Sequence, residues 1–258
     1  MESDSAKPYK PSRGFVACLA SIVIFLLVIS LPFYYPGRSN DKAKSQSCLS
    51  HMRQVGLGML QYMQDNDEQF PARQYTGKDG DTVTWRVAVY PYIKSTQIFR
   101  CPSNPVAAKP TTISSQKIED SDFARSYAVN STSDDAGCFG PFSGKFPKGF
   151  PLAKTDAPSS LALVVESTAS YCDFNVLAPD IFRHPTNAHS LTGNLYCGHK
   201  GMTNVLFCDG HVKGKRPETL LGTTALGVNP WTTDGAPFSA ANQATATSVI
   251  EYGAKQYL

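Results

Sequence analysis

Four of the five histidines, His184, His189, His199 and His211, fall within 28 residues of one another, together with Cys197, Cys208 and Asp209. Imidazole, thiolate and carboxylate are the side chains that bind zinc, so this stretch is first of all a candidate metal centre. Its tightest set, Cys197, His199, Cys208 and His211, has the spacing C-x-H-x8-C-x2-H, which corresponds to no familiar structural zinc pattern. A smaller set would use His199, Asp209 and His211. The bland reading competes with both: Cys208 faces a core, the histidines orient loops, and Asp209 bonds its own backbone in a turn. A further arrangement lets His199 meet the Asp209 carboxylate across a hairpin, which would make the pair a folding element rather than a site.

Other chemistry has less to work with. The chain holds no Gly-x-Ser-x-Gly elbow, phosphate loop or HExxH, so the common routes to nucleophilic, phosphoryl and metalloprotease chemistry are missing. Glu166 closes an apolar run and reads either as a lone acid or, more simply, as a strand-end polar residue; no second carboxylate is tied to it by spacing. The net charge is +3 with only 17% charged residues. Without a dense Lys/Arg run or a recognisable module, nucleic acid is excluded as a partner.

The elements that must position these residues can be read from periodicity. Residues 204–208, Asn-Val-Leu-Phe-Cys, are an apolar β-prone run. Asp209-Gly210 then supplies a dipeptide suited to a type I′ turn, and a return strand starts at His211. Residues 126–130 and 161–166 also read as strands, the second apolar enough to be central. Residues 82–90 are β-like, although Trp85 to Tyr90 fits a short helix equally well, and residues 98–102 read as a short extended piece. Cys48, Leu49, Met52, Val55, Met59, Leu60 and Met63 recur at helical spacing and make one apolar stripe. Pro36-Gly37 reads as an interruption before that helix. Near the end only residues 248–257 look mildly helical.

Ahead of the striped helix, residues 15–35 carry no charge over 21 positions. About 20 apolar residues span a bilayer core, and Phe33, Tyr34 and Tyr35 would sit at its boundary. The expected organisation is a cytoplasmic tail (1–14), a transmembrane helix (15–36), an amphipathic continuation (39–66) and an extracytoplasmic β-rich domain (67–258). Besides Cys18 there are six cysteines, Cys48, Cys101, Cys138, Cys172, Cys197 and Cys208, a number suited to an oxidising, periplasm-like space. The fold class is α+β: a long N-terminal helix, half in the lipid bilayer, packed on an antiparallel sheet.

Four segments, in order, resemble the prepilin-type H-X9-DG group of planctomycete-type bacteria, relatives of type IV pilins and type II secretion pseudopilins. His199 with Asp209-Gly210 fits the signature. Residues 48–58, running on to Tyr62 and Asp65, resemble the group's post-anchor helix. Trp85, residues 90–94 and Phe99-Arg-Cys-Pro-Ser103 resemble its next block. Arg13-Gly14-Phe15 stands where a prepilin peptidase would cut. The resemblance implies a pilin-like fold, an inner-membrane location, pilin-like subunits as partners through the N-terminal helix, and a Cys48–Cys101 disulfide. It also raises calcium, held through Asp209, as the one cofactor to consider. Leu19 stands where pilins carry a glutamate, which leaves processing and filament assembly open. The implied role is a non-enzymatic, membrane-anchored structural or assembly protein. A surface-tethered binding module for an extracellular polymer or protein, and a metal-dependent enzyme built on residues 184–211, are the other classes.

Overall fold

The computed structural model describes residues 13–34, 36–78, 80, 82–104, 123–133, 139–168, 173–177, 195–222 and 227–255. The chain divides into two units at Ala43/Lys44. In the first, helix α1 (Arg13–Tyr34) takes up nearly all of the uncharged run. Its side chains from 17 to 29 are all exposed. Among the described residues no helix is long and apolar enough to cross a membrane; residues 17–29 alone rise only about 20 Å. Pro36-Gly37, expected as an interruption, instead open helix α2 (Pro36–Asp65). Proline suits the first turn of a helix because the missing N–H has no intrahelical partner there.

The second unit is mixed α+β. From Lys44 onward α2 buries the expected stripe: Cys48, Met52, Val55, Met59 and Met63 are closed to solvent. The short strands β1 (Gln74–Thr76) and β2 (Thr82–Thr84) pair antiparallel. At Trp85 the chain turns helical, as α3 (Trp85–Ile93). Pro91 lies inside this helix, which ends two residues later, with Lys94 capping it in the left-handed conformation. Residues 98–102 are expected as extended; instead Gln97–Phe99 form a 3-10 turn that leads to Cys101.

The main sheet has the order β5-β3-β4-β6-β7, built from β3 (Tyr127–Asn130), β4 (Ala162–Glu166), β5 (Asp173–Phe174), β6 (Thr203–Phe207) and β7 (Val212–Lys215). It is antiparallel except for the β3–β5 edge pair, which is parallel. The central position of β4 follows from its composition: an apolar run without alternation needs cover on both faces. Both are covered. On one side α2, α3, Phe99, Phe150 and Leu206 form a core. On the other, Trp231, Phe174, Phe207, Leu195 and helix α4 (Ala240–Lys255) form a second. Helix α4 starts eight residues before the expected one. Its buried stripe is Ala246, Val249, Ile250 and Gly253, of which only two carry large apolar side chains, so the stripe leaves little contrast in the sequence.

Alternation sorts side chains between these cores. Along β6, Val205 and Phe207 face the α4 side while Leu206 and Cys208 face α2. Along β4 the alternation is broken by an irregularity between Ala162 and Val164. Ala162 lies in the α4 core, yet Leu163 and Val164 both lie in the α2 core. A bulge of this kind inserts one residue and exchanges the faces of everything beyond it. Its consequence is felt two residues later, at Glu166.

Candidate functional site

Glu166, at the end of β4, is completely closed to solvent. A buried carboxylate is costly unless its oxygens are hydrogen-bonded, and here three donors converge on it. The Asn204 backbone N–H donates to Oε2 at 2.8 Å, and Asn204 Nδ2 donates to Oε1 at 3.2 Å. His199 Nε2 lies 3.0 Å from the same Oε1.

His199 is presented by a turn of its own. Its N–H and C=O exchange hydrogen bonds with Met202 at 3.3 and 3.2 Å. The two residues between, Lys200 and Gly201, have φ of 56° and 76°, which is the type I′ pattern of two positive φ angles. The imidazole meets the Tyr196 ring edge-on, with centroids 5.4 Å apart. Tyr196 is itself tied down, its hydroxyl donating to the Ser103 carbonyl.

Sulfur stands beside the same ring nitrogen of His199. Cys101 Sγ stands 3.6 Å from His199 Nε2, and Cys101 is bonded to Cys48 in a disulfide spanning 53 residues. The pairing implied by the resemblance is therefore in place. The neighbourhood of that bond is held from several directions. The Cys101 N–H donates to Ser126 Oγ at 2.8 Å, and the Tyr127 hydroxyl donates to the Cys48 carbonyl at 3.3 Å. One turn along α2, His51 Nδ1 lies 2.8 Å from the Arg100 carbonyl. Burial, with the Glu166 charge adding to it, pushes the Tyr127 phenol well above its usual range. The ring stays neutral and remains a donor.

One ligand atom from each of Cys48, Cys101, Glu166 and His199 lies within 4.8 Å of all the others. Among the described residues this is the only group of three or more such side chains. It is not the group expected. Cys197 faces the α4 core and Cys208 the α2 core, so the C-x-H-x8-C-x2-H set is divided by the sheet and cannot converge on one ion. Burial first, then the charges of Glu166 and Glu218, push the Cys197 thiol up to about 12. Burial and the Asp209 charge likewise push Cys208 well up. Both are packing groups rather than ligands.

His199 does not meet Asp209 either, so the folding contact across the hairpin is corrected to His199–Glu166. Asp209 Oδ1 accepts from the His211 N–H at 3.1 Å and lies 2.6 Å from His211 Nδ1, while the His211 ring stacks on Phe207. With His199 on Glu166 and the disulfide, the set His199, Asp209 and His211 is not assembled. The turn type also differs from expectation. Gly210 donates to the Phe207 carbonyl at 2.9 Å and alone has positive φ, 88°, so Cys208-Asp209 form a type I turn closed by a left-handed glycine. The type I′ turn lies nine residues earlier than expected, at Lys200-Gly201. His184, His189, Cys138 and Cys172 lie outside the described residues. Gly14 and Phe15 lie in the first turn of α1.

The signature residues nevertheless share a neighbour. A Cβ on Gly210 would come within 2.6 Å of Leu60 on α2, and one on Gly56 would come within 2.7 Å of Leu206 and 3.3 Å of the Gly210 carbonyl. His199 reaches α2 at Cys48 through the disulfide, and Asp209-Gly210 reaches it at Gly56 and Leu60. The nine intervening residues carry β6 from one contact to the other. No family model, curated protein or solved structure matches the chain. What the arrangement does is therefore argued from its geometry alone: it clamps a helix to a sheet at two points.

Glu166, expected as a lone acid or a strand-end polar residue, is instead the carboxylate that receives His199 and Asn204. The signal was present. An acid ending an otherwise apolar, central strand must find donors, and a histidine just before β6 and an asparagine within it supply them.

Proposed function

We propose that the chain is a non-enzymatic, membrane-anchored envelope protein of pseudopilin-like design, with a structural or assembly role in or beside a secretion or pilus-like machine. The observation that carries this reading is the contrast between its two N-terminal helices. On α1, nine large apolar side chains from Leu19 to Ile29 are between 46% and 65% exposed. They cover every side of the helix, which suits lipid or a bundle of like helices better than a one-sided groove. Covering nine such side chains is worth on the order of 10 kcal/mol, so they demand a partner. On α2, by contrast, the apolar stripe is used up inside the 44–258 unit. The disulfide supports an oxidising compartment for that unit.

The non-enzymatic part of the reading rests on the state of the chemistry-bearing groups. The acceptor oxygens of Glu166 are occupied by Asn204 and His199, and two cysteines are spent in the disulfide. Leu19 favours a plain anchor, since no intramembrane acid is offered to a neighbouring subunit.

Fractionation tests the proposal. The full chain is expected to sediment with membranes and to resist alkaline carbonate, while a chain beginning at residue 44 is released. A full chain that washes off the membrane would sink the anchor reading. N-terminal sequencing of the extracted protein then separates two forms of it: a start at Phe15 means pilin-type processing, and a start at Met1 means an uncut anchor.

A further inference from the structure

The disulfide, His199 and Glu166 form a joint between α2 and the sheet whose composition depends on redox state. In the oxidised chain the joint is covalent. Take the disulfide away and four zinc-type ligands remain in one buried place: two thiols, an imidazole and a carboxylate.

The spacing suits a tetrahedral ion. Bonds of about 2.0–2.3 Å imply ligand-to-ligand separations of roughly 3.3–3.8 Å. Cys101 Sγ to His199 Nε2 is 3.6 Å, His199 Nε2 to Glu166 Oε1 is 3.0 Å, and no pair exceeds 4.8 Å. The two sulfurs, bonded to each other, must part, and a pair at the 4.8 Å limit must close by about 1 Å. The supporting contacts are also present. Asn204 holds the Glu166 carboxylate by two hydrogen bonds and Ser126 holds the Cys101 backbone. Outer contacts of this kind orient metal ligands and are worth 10- to 100-fold in affinity. Access lies close by, since Arg100 and Pro102 on either side of Cys101 are exposed.

We propose that reduction of Cys48–Cys101 by a dithiol opens a zinc site at this joint, with Cys48, Cys101, His199 and Glu166 as its four ligands. The step balances simply. The dithiol gives two electrons and two protons to the sulfurs and leaves as its own disulfide. Zn²⁺ then displaces both thiol protons, and His199 binds through the Nε2 lone pair with its proton on Nδ1. The helix stays clamped to the sheet in both states, by a covalent bond in one and by the ion in the other.

The full chain in mild detergent, reduced with a phosphine, is expected to take up one zinc per chain. The oxidised chain takes up none. Cobalt(II) in place of zinc should give the intense visible bands of a tetrahedral site with thiolate charge transfer. Those bands should survive Cys197→Ala and vanish in Cys48→Ser/Cys101→Ser. His199→Ala and Glu166→Gln should each weaken zinc at least about tenfold. Because those variants risk misfolding, the melting temperature of the reduced wild type is read as well, and it should rise when zinc is added. A reduced chain that takes up no zinc, one that stays unfolded with zinc present, or uptake indifferent to both His199→Ala and Glu166→Gln would overturn the proposal.

Discussion

The two faces of the central sheet solve the same burial problem by different means. The α4 face is closed by aromatic packing. Trp231 is fully buried beside Phe174, its indole N–H donates to the Leu220 carbonyl, and Ala246, Val249 and Ile250 of α4 join the same core. The α2 face is closed by a helix fastened at two points, through the disulfide with its His199–Glu166 pair and through the close approach of Gly56 and Gly210. The first face is held by apolar area, which is non-directional. The second is held by named bonds. The difference teaches that the signature hairpin belongs to the fastening and not to the bulk of the core: its histidine and its Asp-Gly both bear on α2.

The comparison can be broken most severely by removing one fastening from each face. Cys48→Ser with Cys101→Ser releases a loop of 53 residues and should cost about 4 kcal/mol. Amide exchange should show α2 losing protection while α4 keeps it. Trp231→Ala should cost a similar amount, about 3–5 kcal/mol, with the reverse pattern. Equal loss over both helices in either variant would mean that the two faces are one cooperative unit.

Alkali offers a second way to separate them. The Cys197 thiol on the α4 face titrates near 9 when unfolded and is pushed up to about 12 in the fold. Between those values the unfolded chain has lost the proton and the folded chain keeps it, so stability is full below pH 9 and falls as pH rises towards 12. The full loss is about 4 kcal/mol. Denaturant titrations should show this decline, and Cys197→Ala should remove that component of it. What remains should include Tyr127 on the α2 face, raised in the same direction.

A gentler change sharpens the α2 face alone. Glu166→Gln keeps the shape but replaces one acceptor oxygen with a donor, and about 2 kcal/mol of stability should go with the mispaired bonds. The smallest effect is expected at the surface of the hairpin. Asp209→Ala removes only the half-exposed contacts to His211, so its cost should stay below about 1 kcal/mol. A larger loss there would restore to Asp209 the folding role that the geometry gives to Glu166.

Much of this fold is legible from local pattern. The stripe on α2, the strands at 127–130, 162–166 and 203–207, and the hairpin after them all follow from periods of 3.6 and 2. The resemblance of the cysteine blocks pointed to the right disulfide. The candidate site was only half legible. Sequence proximity gathered His199 with Cys197, Cys208 and His211, whereas the fold gathers it with Glu166, 33 positions earlier, and with a disulfide half the chain away.

The sequence by itself determined the striped part of α2, the strands near 127–130, 162–166 and 203–207, and that residues 15–35 form an uncharged run, because those properties depend only on neighbours a few positions apart. Tertiary structure decided which side each side chain faces and whom it meets. A bulge between Ala162 and Val164 turns Glu166 towards α2, Cys197 before the turn and Cys208 after β6 end in different cores, and positive φ at Lys200-Gly201 presents the imidazole to the carboxylate. Strand register and turn geometry are set by contacts across the whole sheet, and no local pattern contains them.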